Sequence, residues 1–268
     1  MTGDPSTGDP AASPSRSARQ LAEALQIVIA TVPGAEVHSA DGLRTAYAGA
    51  ASPFFNYFFL ERPCSPWEFR AHLSTIRTLT DGRGPRWLIV GPGEAFGPEQ
   101  REALAARHIE ELFQAQAMCA SQLAPPTEEV PALEFNARWG RKEVDEFTAL
   151  NMEANAMPVE EGQASVTSYF LLDPRCYPVV GYQGGEAVSA AVAILLADCI
   201  CLAWIATAPA YQGLGFGEAV VREAVRRAKE ASGHEAVVLH SSEPSGGLWR
   251  RLGLTALPGE FCGFGHGF

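Results

Sequence analysis

The chain has 268 residues, a formal net charge of -11, and 47% hydrophobic against 19% charged residues. This is an ordinary globular composition, long enough for one large domain or two small ones. The acidic balance speaks against a grip on nucleic-acid backbone, which needs clustered Lys and Arg, and no apolar run reaches the ~20 residues that span a bilayer.

Residues 1–18, rich in Gly, Pro, Ser and Asp, read as a disordered tail. The run 21–32 faintly imitates a secretory leader, but Glu23 interrupts it and two Asp precede it, so a cytoplasmic location is expected. Residues 22–31 have helical spacing, stopped by Pro33-Gly34. The aromatic stretch 54–60 reads as a buried strand. Ser65-Pro66-Trp67-Glu68 carries an N-cap, a proline in the first turn and a glutamate to close a capping box, which predicts a helix to about Thr80. Residues 86–90 read as a strand ended by Gly91-Pro92-Gly93; a dinucleotide fingerprint fails there, because Phe96 stands at the last glycine position and Pro92 removes an amide. Pro98 opens a helix, while 109–120 leaves helix and strand open. The proline-rich stretch 124–131 is the expected linker between an N-terminal domain, 19–123, and a C-terminal domain, 132–268.

Beyond the linker the pattern becomes regular. It predicts a short strand at 133–136, a helix at 141–154, strands at 168–172, 177–182 and 186–196, then an almost unbroken apolar run to Thr207 that reads as a strand covered on both faces. Gln212-Gly213-Leu214-Gly215-Phe216-Gly217 follows, and leads into an amphipathic helix bearing Val220, Val221, Ala224, Val225 and Ala228. Glycines at the start of a helix let a ligand reach unpaired amides at the positive end of the dipole, so the loop is suited to a pyrophosphate. Residues 236–240 then read as a strand and 248–254 as a short helix closed by glycine. The six cysteines (Cys64, Cys119, Cys176, Cys199, Cys201, Cys262) form no C-x-x-C pair, which speaks against zinc. Cys199 and Cys201 would share one strand face as buried apolar residues, and reduced thiols are expected.

This order resembles the GNAT N-acetyltransferases, whose signature Q/R-x-x-G-x-G/A lies between a strand and a helix and is followed by a strand and a Leu-Tyr-x-x-Leu-Gly-like segment. The matching residues are Gln212, Gly215, Gly217, Leu248, Leu252 and Gly253. The resemblance implies a mixed, mostly antiparallel α/β sheet flanked by helices and direct transfer of acetyl from acetyl-CoA to a primary amine, with no metal. It further implies that amides from Gln212 through Gly217 hold the coenzyme A pyrophosphate, and that the backbone of Ile205, Ala206 and Thr207 meets the pantetheine arm. Arg222, Arg226 and Arg227 are either distal-phosphate ligands or a solvated helix face.

One position departs from the family. Trp249 stands where its tyrosine often protonates the departing thiolate, and an indole has a donor N–H without usable acidity. Trp249 would still pack on the pantetheine; His240 and Ser242 are the substitute proton handlers. Glu153, Glu160, Glu161, Asp198, His240 and Glu243 are the candidates for a general base. The N-terminal half resembles the degenerate GNAT-like half of two-part members, in which Asn56 is either a substrate contact or a strand cap. The acceptor would be a small-molecule or peptide amine, with no nucleic-acid or membrane partner, as a monomer or homodimer. Readings as a cofactor-sensing module without turnover, or as a structural protein with an empty cradle, stay open.

Overall fold

A computed structural model describes residues 14–50, 52–82, 86–154, 170–241 and 246–266. In the first half α1 (Pro14–Ile29) precedes strands β1 (Glu36–Ala40), β2 (Leu43–Tyr47) and β3 (Asn56–Leu60), then α2 (Pro66–Thr80), β4 (Leu88–Pro92), α3 (Pro98–Ala105) and β5 (Glu110–Ala120). In the second, β6 (Glu134–Phe135) and α4 (Arg141–Ala154) precede β7 (Cys176–Gln183), β8 (Glu186–Leu195) and β9 (Ile200–Thr207). There follow α5 (Phe216–Ser232), β10 (Val237–Ser241), α6 (Gly246–Arg251) and β11 (Thr255–Gly265).

The strands form one eleven-stranded sheet in the order β1-β2-β3-β4-β11-β5-β10-β9-β8-β7-β6. Only β3–β4 and β9–β10 pair in parallel; the other neighbours are antiparallel. The expected mixed, mostly antiparallel sheet is thus present. The order β-β-β-α-β-α-β occurs twice, from β1 to β5 and from β7 to β11, with a parallel pair bridged by a helix in each. The copies exchange their last strands: β11 lies between β4 and β5, and β5 lies between β11 and β10.

Alternation along the strands divides the core between two faces. On one, α1 and α4 place Ala22, Val28, Phe147 and Leu150 against Tyr57, Val90, Val192, Cys201 and Val238. On the other, α5 and α6 cover Ile200, Leu202 and Leu239, while α2 and its neighbours cover Phe58, Leu60 and Ile89. The α2 capping box forms as expected, with Ser65 Oγ accepting from the Glu68 amide and the Glu68 carboxylate from the Ser65 amide.

Several expectations need correction. The expected tail overlaps α1, which begins at Pro14; Ser17 and Ala18 are 2% exposed because small residues let the helix end settle on the sheet, and residues 1–13 lie outside the described residues. The strand expected at 54–60 starts at Asn56, since Pro53–Phe55 form a 3-10 turn. The open stretch 109–120 is strand β5, in which two flanking ladders override the helix propensity of Ala and Gln. Phe170–Leu172, expected as strand, is a 3-10 turn, and the rest of that run lies outside the described residues. The β1–β2 hairpin and β11 had no counterpart in the sequence reading.

Candidate active site

Strands β9 and β10 pair only at Ile200 with Val237 and Cys201 with Val238. Past Cys201 no described residue of β9 pairs with β10, so the two parallel strands part into a fork. A bulge accentuates it: Ala190 faces Ala206 and Val192 faces Ala203, so Trp204 and Ile205 together oppose Ala191. Trp204 takes the left-handed conformation, φ 47°, which costs a side chain with a Cβ of order 1–3 kcal/mol. The end of β9 is tied down, with Ser189 Oγ donating to Ala206 O at 2.9 Å and lying 2.8 Å from Thr207 Oγ1.

The glycine loop sits at the mouth of this fork. Gly213 and Gly215 have φ of 77° and 84°, and Gly215 caps α5 with no side chain supplying the cap bond. The Glu218 and Ala219 amides reach back to Gly215 O, whereas those of Gly215, Phe216 and Gly217 donate to no backbone acceptor among the described residues. A Cβ on Gly217 would stand 3.3 Å from Thr207 Oγ1 and 3.7 Å from Leu248 Cδ2. Open amides at a dipole's positive end, with space that only glycine leaves, fit a phosphate group. Gln212 Nε2 donates to Thr207 O at 3.2 Å and so pins the loop to the strand.

The equivalent place in the first half is closed. Strands β3 and β4 stay paired at Tyr57–Leu88, Phe58–Ile89 and Phe59–Val90, and a Cβ on Gly91 would meet Leu60 O at 2.8 Å. The amides at the start of α2 are taken up in part by the Ser65–Glu68 box, and Pro66 offers none. Asn56 is fully buried and its Nδ2 donates to Ala50 O, Ser52 O and Arg86 O, so it ties backbone together.

Arg222 meets Glu218 at 2.8 Å and donates to Ala124 O; Arg226 pairs with Glu223 and Glu230; Arg227 pairs with Glu223 and donates to Asn136 O. All three serve ion pairs within the chain, which favours the helix-face reading over phosphate binding. Glu218, 8% exposed in the first turn of α5, is balanced by Arg222 and by Arg251 at 3.4 Å.

Trp249 is 6% exposed among the α5 and α6 side chains over Leu202 and Leu239, and its Nε1–H has no partner among the described residues. His240 is on the opposite face. Its Nε2 lies 2.8 Å from Ser17 Oγ, its ring centroid is 5.0 Å from that of Phe261, and its buried Nδ1 has no partner among the described residues. Desolvation pushes the ring pKa down to about 4. The contact with Ser17 had no sequence signal, because α1 and β10 meet only through the fold. Asp198 pairs with Arg16, beyond the paired end of the fork, and Glu153 is exposed at the end of α4. Ser242, Glu160, Glu161 and Glu243 lie outside the described residues. Cys199 and Cys201 are buried in one cluster, and burial pushes the Cys201 thiol up to about 12. Among the described residues no group of three or more His, Cys, Asp or Glu is arranged to hold a metal, and no helix is long and apolar enough to cross a membrane.

The neutral ring carries a stability consequence. An unfolded histidine takes up its proton near pH 6.5, whereas the native ring resists until about 4, so the native state has this advantage above pH 6.5 and loses it as pH falls toward 4. Urea unfolding at pH 7 and 4.5 should show His240→Gln losing about 2 kcal/mol less than the unaltered protein across that interval. Equal losses would mean that the ring titrates freely.

Residues 134–254 match the model of the acetyltransferase (GNAT) family. Among solved structures, a GCN5-related N-acetyltransferase from Kribbella flavida superposes with a TM-score of 0.70 at 19% identity, covering 93% of this chain and 95% of that one. A functionally unknown conserved protein from Staphylococcus epidermidis superposes at 0.62 with 9% identity over 87% and 94%. A protein of Novosphingobium aromaticivorans assigned to the GNAT family does so at 0.58 with 16% identity over 96% and 98%. No curated protein sequence matches. The matched stretch, residues 134–254, is a GNAT acetyltransferase domain, and it contains the fork and the glycine loop.

Proposed function

We propose that the protein is an acetyl-CoA-dependent N-acetyltransferase that acts on a primary amine by direct attack within a ternary complex. The observation that carries this reading is the set of amides at Gly215, Phe216 and Gly217, at the mouth of the β9–β10 fork, that donate to no backbone acceptor among the described residues. In it, the loop from Gln212 to Gly217 holds the pyrophosphate, and the edge of β9 at Ile205, Ala206 and Thr207 holds the pantetheine arm. Acetyl-CoA supplies the thioester: as the amine nitrogen bonds to the acetyl carbon the C–S bond breaks, a proton leaves nitrogen, and one is taken up by sulfur. A β9 amide aimed at the acetyl oxygen would contribute about 2.7–4 kcal/mol.

At neutral pH His240 is uncharged and has no proton to donate as imidazolium, and the burial that lowers its pKa to about 4 also makes it a weak base. Trp249 offers the departing sulfur a hydrogen bond, not a proton. Loss of a general acid costs about 10²- to 10⁴-fold, and a thiol of pKa near 8.5 leaves tolerably as its anion, so turnover survives. The same two residues favour the second reading, a module that senses acyl-CoA with little turnover. The first half, with the same order of elements and a closed cradle, is in this proposal a degenerate GNAT half.

Calorimetry with acetyl-CoA, followed by thiol release against a broad panel of amines, tests both readings. Binding with release above background supports the enzyme; binding without release supports the sensor. Absence of both heat and thermal stabilisation at saturating acetyl-CoA rejects both.

A further inference from the structure

Strand β8 carries one polar side chain within its buried apolar run from Val188 to Ile194: Ser189, 0% exposed. A buried hydroxyl is costly unless it is bonded, and both contacts of this one go to the end of β9, where Ser189 pairs in register with Thr207. Its Oγ donates to Ala206 O at 2.9 Å and lies 2.8 Å from Thr207 Oγ1. A hydroxyl has one proton, so with that of Ser189 given to Ala206 O, the proton between the two oxygens belongs to Thr207.

Thr207 stands where β9 meets the glycine loop. Its Oγ1 is the atom nearest to where a Cβ on Gly217 would stand, at 3.3 Å, and Leu248 Cδ2 follows at 3.7 Å. The space that glycine leaves at the start of α5 is thus bounded by one hydroxyl and one methyl group. Thr207 is half-buried, and its Oγ1 has no partner besides Ser189 among the described residues. Rotation about two C–O bonds converts the pair. If Thr207 turns its proton toward an anion beside Gly217, Ser189 can turn its own from Ala206 O to Thr207 Oγ1, and neither hydroxyl is left without a partner. No proton changes hands, and the two hydrogen bonds in series polarise each other toward the anion. A valine of the same shape at 207 could do none of this.

We infer that Thr207 is a ligand of the coenzyme A pyrophosphate through its side-chain hydroxyl, and that Ser189 is the positioning residue that holds this hydroxyl at the cradle and feeds it a hydrogen bond. The inference rests on the reading of the glycine loop as the pyrophosphate cradle and adds to its amides a donor from the neighbouring strand.

Calorimetry with coenzyme A should show Thr207→Val raising Kd about tenfold, as the loss of a hydrogen bond to a charged acceptor predicts, and Thr207→Ser recovering most of the difference. Phosphorus-31 spectra at saturating coenzyme A give a readout that a merely structural tie would not move: Thr207→Val should displace the pyrophosphate signals and leave the 3′-phosphate signal in place. Ser189→Ala should raise Kd about threefold when Thr207 is present and leave it unchanged in the Thr207→Val background, because Ser189 acts through Thr207. Thr207→Ala gives a second route to the same measurements should valine not be accommodated. A Thr207→Val Kd within about twofold of the unaltered protein's, or pyrophosphate signals that stay in place, would overturn the role of Thr207. Equal effects of Ser189→Ala in both backgrounds would overturn that of Ser189. Gly217→Glu separates the two levels: retained affinity in that variant removes the cradle itself, whereas its loss beside an unaffected Thr207→Val protein removes the hydroxyl alone.

Discussion

Gly217→Glu is expected to leave a folded protein that no longer binds acetyl-CoA. Position 217 lies in the first turn of α5 without a positive φ, and its Cβ would press only on Thr207 Oγ1 and Leu248 Cδ2, both ends of side chains that can give by a few tenths of an ångström. A carboxylate at a helix start gains about 0.3–1 kcal/mol from the dipole, which offsets that pressure. The same carboxylate would take the amides that the pyrophosphate needs and repel it. Two like charges about 4 Å apart at an effective dielectric of 20 oppose each other by about 4 kcal/mol, enough to weaken binding 100-fold or more. Glu218 beside it does not do this already, because Arg222 and Arg251 balance its charge. Gly215 is the poorer position for the test: its φ is 84° and a Cβ there would lie 3.0 Å from Pro131, so a substitution mixes strain with charge. Calorimetry should show the loss, and the stabilisation of about 2.7 kcal/mol that a ligand gives at 100 times its Kd should vanish from the melting curve. Undiminished affinity would place the pyrophosphate elsewhere.

The glycine loop was legible because its chemistry is local. Glycine at Gly213, Gly215 and Gly217 is needed where the backbone is left-handed or approached closely, and the strand before and helix after were visible as hydrophobic patterns. The hairpin of β1 and β2 went unread, although Asp41-Gly42, with φ of 52° and 82°, is a dipeptide that favours such a turn. Its flanks, Glu36–Ala40 and Leu43–Tyr47, are too short and too polar on the first strand to stand out as apolar periodicity. Strand β5 was ambiguous for a physical reason: Ala and Gln in Glu110–Ala120 prefer helix, and only the ladders to β10 and β11 decide otherwise. The fork and the Ser17–His240 contact join residues far apart in sequence, so no local pattern encodes them. The same holds for Trp204, whose backbone is set by register with β8.

Cut at residue 123, the chain should yield two pieces of which neither folds alone. The linker at 124–131 suggested separable domains, but the strand exchange crosses it. Without β5, the second piece exposes β10 along Val237–Ser241, whose five register pairs run to Gln116–Ala120. It also loses the eight pairs between β5 and β11, the strand that closes its sheet. The first piece loses β11 from between β4 and β5 and keeps a helix, α1, whose buried Ala18, Ala22 and Leu25 packed on a core shared with β9 and β10. Each buried aliphatic side chain contributes about 1.5–3 kcal/mol, so losing several removes more than the 5–15 kcal/mol by which a domain is stable. Expressed separately, residues 1–123 and 124–268 should aggregate or show no cooperative melt; expressed together they should associate and recover acetyl-CoA binding. A second piece that melts cooperatively alone and binds acetyl-CoA would show that β5 is dispensable. The half without a cradle is therefore needed by the half with one: β5 and α1 brace β10 where it parts from β9, and the fork depends on that brace to stay open.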